Sequence, residues 1–118
     1  SGLVEFTKFV QRDMDARGLM NFKLGETPFD TISKITYSNE GYICASGDSF
    51  VQSSVEIDCD IVDMEAYSFA KVCKLHNIRF KCFKYISDYA NENSNNDWID
   101  NCSKGAKLFS ELYPQLKI

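Results

Sequence analysis

The chain has 118 residues, of which 44% are hydrophobic and 25% are charged, and its formal net charge at pH 7 is −4. This length suits one domain, predicted to span residues 1–118. No apolar run approaches the roughly 18 residues that a membrane span needs, and the scattered lysines and arginines form no nucleic-acid-binding cluster. We therefore expect small molecules or proteins as partners, and neither nucleic acid nor membrane.

The five cysteines indicate a reducing compartment. They are odd in number, lie mostly in apolar strand or helix patterns, and never occur at a C-x-x-C spacing. Such cysteines are typical of the core thiols of a cytosolic protein, so we predict a cytoplasmic location. A zinc site that combined some of them with His76 would lack the closely spaced ligand pairs of such sites, and we expect no metal.

The first third of the chain predicts strands joined by a long loop. Apolar and polar residues mix in a strand-like pattern in residues 3–11, which favours an extended segment. Residues 12–17 alternate in charge and are either a solvated loop with ion pairs or a subunit contact. Glycine and proline in residues 18–30 indicate a loop with apolar anchors, and residues 31–37 predict a short strand.

A short apolar strand at Tyr42–Ala45 stops at the sequence Ser46-Gly47-Asp48-Ser49-Phe50-Val51. Glycine and small hydroxyl residues directly after a strand let the backbone approach a ligand closely, with Phe50 as a flat apolar wall. The alternative is a tight turn followed by a phenylalanine in the core.

The centre of the chain, residues 60–73, predicts a buried strand that runs straight into a helix. Small and apolar residues then recur at spacings of three, one and three, which predicts one buried helical face of Ala66, Phe69, Ala70 and Cys73. Glu65 is therefore expected in the first helical turn, where the helix dipole favours a carboxylate. It is also expected at the carboxyl end of a strand, where ligands bind in α/β folds.

The helix is predicted to end at His76, which we interpret as a helix-end residue in preference to a catalytic base. Residues 79–86 are aromatic and apolar enough for another strand, which ends at Ser87-Asp88. Asp88 is thus a second acid at the ligand edge of the predicted sheet.

The last part of the chain predicts an exposed loop over residues 89–96 with a helix cap at Asn95 or Asn96. A long helix follows, whose apolar stripe is predicted to be core: Trp98, Cys102, Ala106, Phe109, Tyr113 and Leu116. The order of strands and helices predicts the α/β class.

Three predicted strands end in residues suited to one ligand site: Phe50-Val51, Met64-Glu65 and Ser87-Asp88. Two carboxylates in different surroundings could act separately, one ionised and one protonated as a general acid. An ionised carboxylate has two acceptor oxygens, which suits the two hydroxyls of a ribose. No phosphate-binding P-loop, histidine dyad or activated-cysteine motif competes with this site.

Three motifs resemble, in order and spacing, those of the purine nucleoside phosphorylase and nucleosidase superfamily: SGDSFV at residues 46–51, VDMEA at 62–66 and ISDYA at 86–90. Within it they look most like 5′-methylthioadenosine/S-adenosylhomocysteine nucleosidases. The resemblance implies part of a three-layer fold with a mixed sheet flanked by helices. Residues 10–15 resemble the segment with which family members meet a neighbouring subunit.

The resemblance also implies roles for both carboxylates. Glu65 matches the residue that binds the ribose hydroxyls, and Met64 the one that packs beside the sugar. Asp88 matches the acid that protonates the purine at N7, and Ser87 its orienting neighbour. A carboxylate near the sugar stabilises the oxocarbenium-like charge that develops as the base leaves, and the acid neutralises the departing purine.

For the base, Phe50 matches the aromatic residue that stacks on the purine, and Val51 the residue whose backbone groups contact the adenine edge. The resemblance implies no cofactor. The expected function is hydrolysis of the N-glycosidic bond of 5′-methylthioadenosine or S-adenosylhomocysteine, with release of adenine. The alternatives are a purine nucleoside phosphorylase and a non-catalytic fragment that binds a partner chain or a nucleoside.

Three features depart from the family pattern. The amino-terminal half, which supplies the first strands and the glutamate that activates water, is absent from this sequence. Two segments, residues 30–41 and 52–60, are shorter than in many members, and Lys84 stands where many have arginine. We expect either a homo-oligomer or a complementary amino-terminal fragment to complete the fold.

Overall fold

The computed structural model describes residues 2–87 and 94–116. Within these ranges, four strands precede the first helix, and a fifth strand lies between the two long helices; helices and parallel strands together confirm the predicted α/β class. The strands are β1 (Leu3–Gln11), β2 (Ile35–Thr36), β3 (Tyr42–Ser46), β4 (Ile61–Asp63) and β5 (Cys82–Tyr85). The helices are α1 (Ala66–Leu75), α2 (Ser94–Leu112) and a short 3-10 helix (Tyr113–Gln115).

The strands form a mixed sheet, as predicted. Neighbouring strands follow the order β2-β1-β3-β4, and β5 also pairs with β1. β1 is antiparallel to β2, whereas β1, β3 and β4 are mutually parallel. The registers pair Gln11 with Ser46 and Ser46 with Asp63, the last residues of these three strands. Three carboxyl ends therefore meet at one edge, the edge at which α/β sheets bind ligands.

The chain divides into two compact units, which are described separately. The larger comprises Glu5–Phe50 and Val55–Cys82, and the smaller comprises the described residues of 1–4, 51–54 and 83–118. The single domain over residues 1–118 stays a prediction.

An aromatic cluster forms the core of the larger unit. Phe9, Ile35 and Cys44 are its largest fully buried side chains. The ring of Phe9 meets those of Phe80 and Tyr37 edge-on, with centroid distances of 5.4 and 6.2 Å. Edge-to-face pairs at such distances add to the stabilisation from apolar burial. The interior-facing residues of β1 therefore fix the strand that leads to the ligand edge.

Helix α1 buries part of the predicted face. Ala66 and Ala70 are buried as predicted and Cys73 is partly buried, but Phe69 is 61% exposed, so its assignment to the core was wrong. Tyr67 takes the inward position because its ring packs in the core and its hydroxyl donates to the carbonyl of Ile32 at 3.1 Å. Burial raises the pKa of the Tyr67 hydroxyl above its ordinary value. The end of the helix at His76 is confirmed.

The predicted core stripe of α2 was also wrong. Trp98, Phe109 and Tyr113 are 51%, 40% and 67% exposed. The inward face instead contains Gly105, which is buried, with Leu108 partly buried one turn further along. The cap prediction failed as well, because α2 begins at Ser94 and both Asn95 and Asn96 lie within it. The rest of the predicted loop, at 89–93, lies outside the described residues.

Contacts with β5 explain the orientation of α2. A Cβ atom at Gly105 would lie 3.0 Å from Cδ2 of Tyr85, so the glycine lets the helix approach that ring closely. Asn101 donates from Nδ2 to the carbonyl of Ser87 at 3.2 Å and accepts from the Tyr85 hydroxyl at 3.5 Å. A polar residue and a glycine thus define the packed face, which apolar periodicity does not detect.

An ion pair between Asp30 and Lys71 ties the long loop to α1, and it predicts a pH-dependent contribution to stability. The hydrogen bond from Lys71 lowers the pKa of Asp30 below its ordinary value. A carboxylate with a lowered pKa in the folded state stabilises the protein above its ordinary pKa, and this contribution is lost as the pH falls through the lowered value. We expect Asp30→Asn to lower the urea midpoint at pH 7.

The measurement is the urea midpoint of wild type and Asp30→Asn from pH 7 down to pH 2. The difference between the two proteins should shrink as the medium becomes acidic, since both then carry a neutral side chain at position 30. Glu40→Gln, at an exposed carboxylate, is the matched control. A difference that is constant over the whole pH range would contradict the prediction.

Candidate functional site

The candidate site lies where β3 and β4 end side by side. Glu65 follows β4 by two residues and is the N-cap of α1, with φ −135° and ψ −26°. The expectation that it lies in the first helical turn was therefore wrong by one position, since the helix begins at Ala66. Its side chain is exposed, and within the part of the chain that the structure describes no polar group contacts the carboxylate. Glu65 is thus open to a ligand.

Ser46 and Asp63 hold the backbone around Glu65. The Ser46 hydroxyl donates to Oδ1 of Asp63 and accepts from the amide of Tyr67 at 2.9 Å. Oδ2 of Asp63 accepts from the amides of Ala66 at 2.8 Å and Glu65 at 3.3 Å. These bonds satisfy three amides at the start of α1 that have no partner within the helix. Glu65 is therefore fixed by its neighbours, while its own side chain stays free.

The loop after β3 brings Phe50 to the same edge. Phe50 is 46% exposed, which contradicts the alternative of a core phenylalanine and agrees with an apolar wall. The amide of Gly47 donates to the carbonyl of Asp63 at 3.2 Å, and that of Asp48 donates to Oδ2 of Asp13 at 2.9 Å. The loop is thus tied both to the end of β4 and to the residues after β1.

The predicted site residues fall into different parts of the structure. Phe50, Met64 and Glu65 belong to the larger unit, at the ends of β3 and β4, and Met64 is exposed. Val51 and Ser87 belong to the smaller unit. Asp88 lies outside the described residues. The structure therefore brings three of the predicted residues to one strand edge, and the joint site of all six stays a prediction.

Arg12, Ser46 and Asp63 are site residues that the sequence reasoning missed. The Arg12 guanidinium donates to the carbonyl of Ser49, in the loop after β3, and to that of Asp63, at the end of β4. The available signal was position: each of the three stands at or directly after the carboxyl end of a strand. An arginine in that place is next to the predicted ligand edge.

The segment over residues 12–17 shows the predicted ion pairs. Arg17 donates to Oδ2 of Asp15 at 2.7 Å and to Oε2 of Glu56 at 2.8 Å. The hydrogen bonds from Arg17 lower the pKa of Asp15 to about 2. The alternative, a subunit contact by this segment, stays a prediction.

No group of three or more histidine, cysteine or carboxylate side chains in residues 2–87 and 94–116 is arranged to hold a metal ion. Cys59, Cys73 and Cys102 are free thiols. No described helix has the length and apolar character to span a membrane.

A family model described as the phosphorylase superfamily matches residues 38–115, which include β3, β4 and α1. The chain belongs to this superfamily. The match covers the three motifs at residues 46–51, 62–66 and 86–90, whereas residues 10–15 lie outside it. A search of curated proteins found no match.

Solved structures show the same phosphorylase-superfamily fold. One is the futalosine hydrolase of Helicobacter pylori, at 23% identity and a TM-score of 0.77, over 98% of this chain and 60% of that one. A second comes from Francisella philomiragia and is provisionally assigned as a 5′-methylthioadenosine/S-adenosylhomocysteine nucleosidase. It is 20% identical, with a TM-score of 0.80, over 98% of this chain and 62% of that one. A third is the 5′-methylthioadenosine/S-adenosylhomocysteine nucleosidase of H. pylori with butyl-thio-DADMe-Immucillin-A. It is 25% identical, with a TM-score of 0.76, over 98% of this chain and 61% of that one. These likenesses confirm the predicted fold.

The chain spans about 60% of the length of these relatives. The α/β fold described here therefore corresponds to part of theirs, as the sequence predicted.

Proposed function

We propose that the protein contributes the base-binding and ribose-binding residues of a site that hydrolyses the N-glycosidic bond of an adenine nucleoside. The expected substrate is 5′-methylthioadenosine or S-adenosylhomocysteine, and the purine product is adenine. One observation carries the proposal: the open Glu65 carboxylate, on a backbone that Ser46 and Asp63 hold, stands beside the Phe50 loop in the region that the family model matches.

Glu65 suits the ribose. An ionised carboxylate is an acceptor with two oxygens, so it can accept from both hydroxyls of the sugar. As the bond between the sugar and the base breaks, positive charge develops on the ribose, and a fixed carboxylate stabilises it. Met64, exposed beside Glu65, offers an apolar and adaptable contact to the sugar.

Asp88 and Ser87 complete the leaving-group side of the proposal. Protonated Asp88 donates to N7 of the purine, Ser87 orients it, and the bond from the sugar to N9 breaks with its electron pair going to the base. Water adds its oxygen to the sugar carbon. We assign the group that activates this water to the part of the relatives' fold that this chain does not span, so a complementary segment would supply it.

The test uses the protein together with the complementary segment that completes its fold. Adenine released from 5′-methylthioadenosine is measured by chromatography, first in phosphate-free buffer and then with phosphate. Release without phosphate is the expected result, and Glu65→Gln should reduce it while Glu40→Gln should not. Release that requires phosphate would identify a phosphorylase. Nucleoside binding without release would identify the non-catalytic alternative, and absence of both binding and release would refute the proposal.

Base selectivity gives a further prediction. Ionised Asp88 accepts a hydrogen bond from the 6-amino group of adenine, whereas a 6-oxopurine presents an acceptor there. We expect kcat/KM for adenosine to exceed that for inosine about 10-fold or more, since an unmatched polar group in a binding site is costly. In Asp88→Asn the amide can donate to a 6-oxo group, so this ratio should fall. Equal cleavage of adenosine and inosine by wild type would contradict the assignment of Asp88.

A further inference from the structure

The side chain of Arg12 joins the segment just before Phe50 to the segment just before Glu65. Nη2 of Arg12 donates to the carbonyl of Ser49 and, at 3.2 Å, to the carbonyl of Asp63. Ser49 directly precedes Phe50, and Asp63 stands two residues before Glu65. We propose that Arg12 is a positioning residue that sets the separation between the base-stacking and ribose-binding side chains. We call the guanidinium and these two carbonyls the Arg12 bridge.

The chemistry of arginine suits this task. Its guanidinium is a rigid planar donor whose hydrogen bonds are charge-assisted and directional, so it can hold two backbone carbonyls in a fixed relation. Nη1 adds a third contact, to the Ser49 hydroxyl at 3.5 Å. Nε is buried and has no partner among the described residues. A buried donor without a partner lowers stability. The position of Arg12 is therefore not explained by the satisfaction of its own donors.

Neither ligand-facing side chain is anchored by its own packing. Phe50 is 46% exposed and Glu65 is exposed. Their places therefore depend on how the backbone just before each of them is held. Asp63 and Ser46 fix the helix start near Glu65, but the Arg12 bridge is what links that segment to Ser49.

Gly47 provides the space for the bridge. A Cβ atom there would lie 2.8 Å from Cζ and 3.0 Å from Cγ of Arg12. The amide of Gly47 also donates to the carbonyl of Asp63, the same oxygen that accepts from Arg12. Gly47→Ala should therefore displace the guanidinium without changing the arginine itself.

The inference rests on the proposed function, because it assigns the base to Phe50 and the ribose to Glu65. Its test is calorimetric binding of adenine and of 5′-methylthioadenosine to wild type, Arg12→Ala and Arg79→Ala. Adenine would contact only the loop that carries Phe50, whereas the nucleoside must contact Phe50 and Glu65 at once. Arg12→Ala should reduce the ratio of nucleoside affinity to adenine affinity by about 10-fold, the size expected from losing a hydrogen bond to a charged group. The exposed Arg79 is the control for lost charge.

Gly47→Ala should reduce the ratio to a similar extent, and its effect should be largely absent in the Arg12→Ala background because both changes remove the same interaction. Additive effects of the two substitutions would overturn the proposal. An equal loss of affinity for both ligands would do the same, since it would indicate general damage to the fold.

Hydrogen exchange separates this inference from the proposed function. In Arg12→Ala, amide exchange should rise together in residues 47–50 and 63–66, because opening one side of the bridge releases both. If wild type binds neither adenine nor the nucleoside, the proposed function fails and the exchange result alone decides on the bridge. A rise in only one segment, or in neither, would overturn it.

Discussion

Replacement of Asp88 by asparagine is expected to lower the turnover of 5′-methylthioadenosine by about 10² to 10⁴-fold, the usual contribution of a general acid. The amide occupies nearly the same volume but cannot transfer a proton to N7. Because the proton is needed mainly as the base leaves, the effect on ground-state binding should be smaller. The measurement is kcat and KM for both proteins in the complete enzyme.

A substrate whose leaving group needs no protonation distinguishes the two carboxylates. On a p-nitrophenyl riboside, provided that the site admits it, Asp88→Asn should regain most of its activity. Glu65→Gln should not, because its defect concerns the sugar: the amide presents one oxygen acceptor where the carboxylate has two. Equal impairment of both variants on this substrate would mean that the acid has been assigned wrongly.

Ser46→Ala is expected to lower the free energy of unfolding by about 1 to 3 kcal/mol, the cost of leaving a buried donor unpaired. The donor is the amide of Tyr67, which loses the hydroxyl as its acceptor. Asp63→Ala should cost about 1 to 2 kcal/mol, as for the loss of a helix cap. Urea denaturation of each variant measures both values.

The two substitutions should not be additive, because the Ser46 hydroxyl and the Asp63 carboxylate bond to each other. A double-mutant cycle should show a coupling of about 0.5 kcal/mol or more. Ser68→Ala, at an exposed position on α1, is the control and should change stability by less than about 0.5 kcal/mol. If Ser46→Ala behaved like this control, the hydroxyl would not be needed at the start of α1.

The strand ends could be predicted from the sequence, but the packed faces of the helices could not. The apolar run before Ser46 and the one before Asp63 each stop at small or charged residues, which is a local signal. In α2, apolar spacing selects the stripe through Trp98, whereas the packed face contains Asn101 and Gly105. The choice depends on the ring of Tyr85 and on the hydrogen bonds of Asn101, contacts between residues far apart in sequence.

The same limit applies to the candidate site. Glu65 and Phe50 could be found because each follows a strand and carries a recognisable chemical group. Their supports could not, because Ser46 bonds to Asp63 across 17 residues and Arg12 bonds to it across 51. Only the pairing of β1, β3 and β4 in parallel brings these groups to one edge.

Trp98 is the only indole in the chain, and it is 51% exposed on α2. Intrinsic fluorescence excited at the red edge of protein absorption therefore reports the surroundings of one face of one helix. A half-exposed indole is accessible to aqueous quenchers such as acrylamide, and its emission moves to shorter wavelength when water is excluded. A change in this signal on mixing the protein with another molecule would identify an event at the exposed stripe of α2.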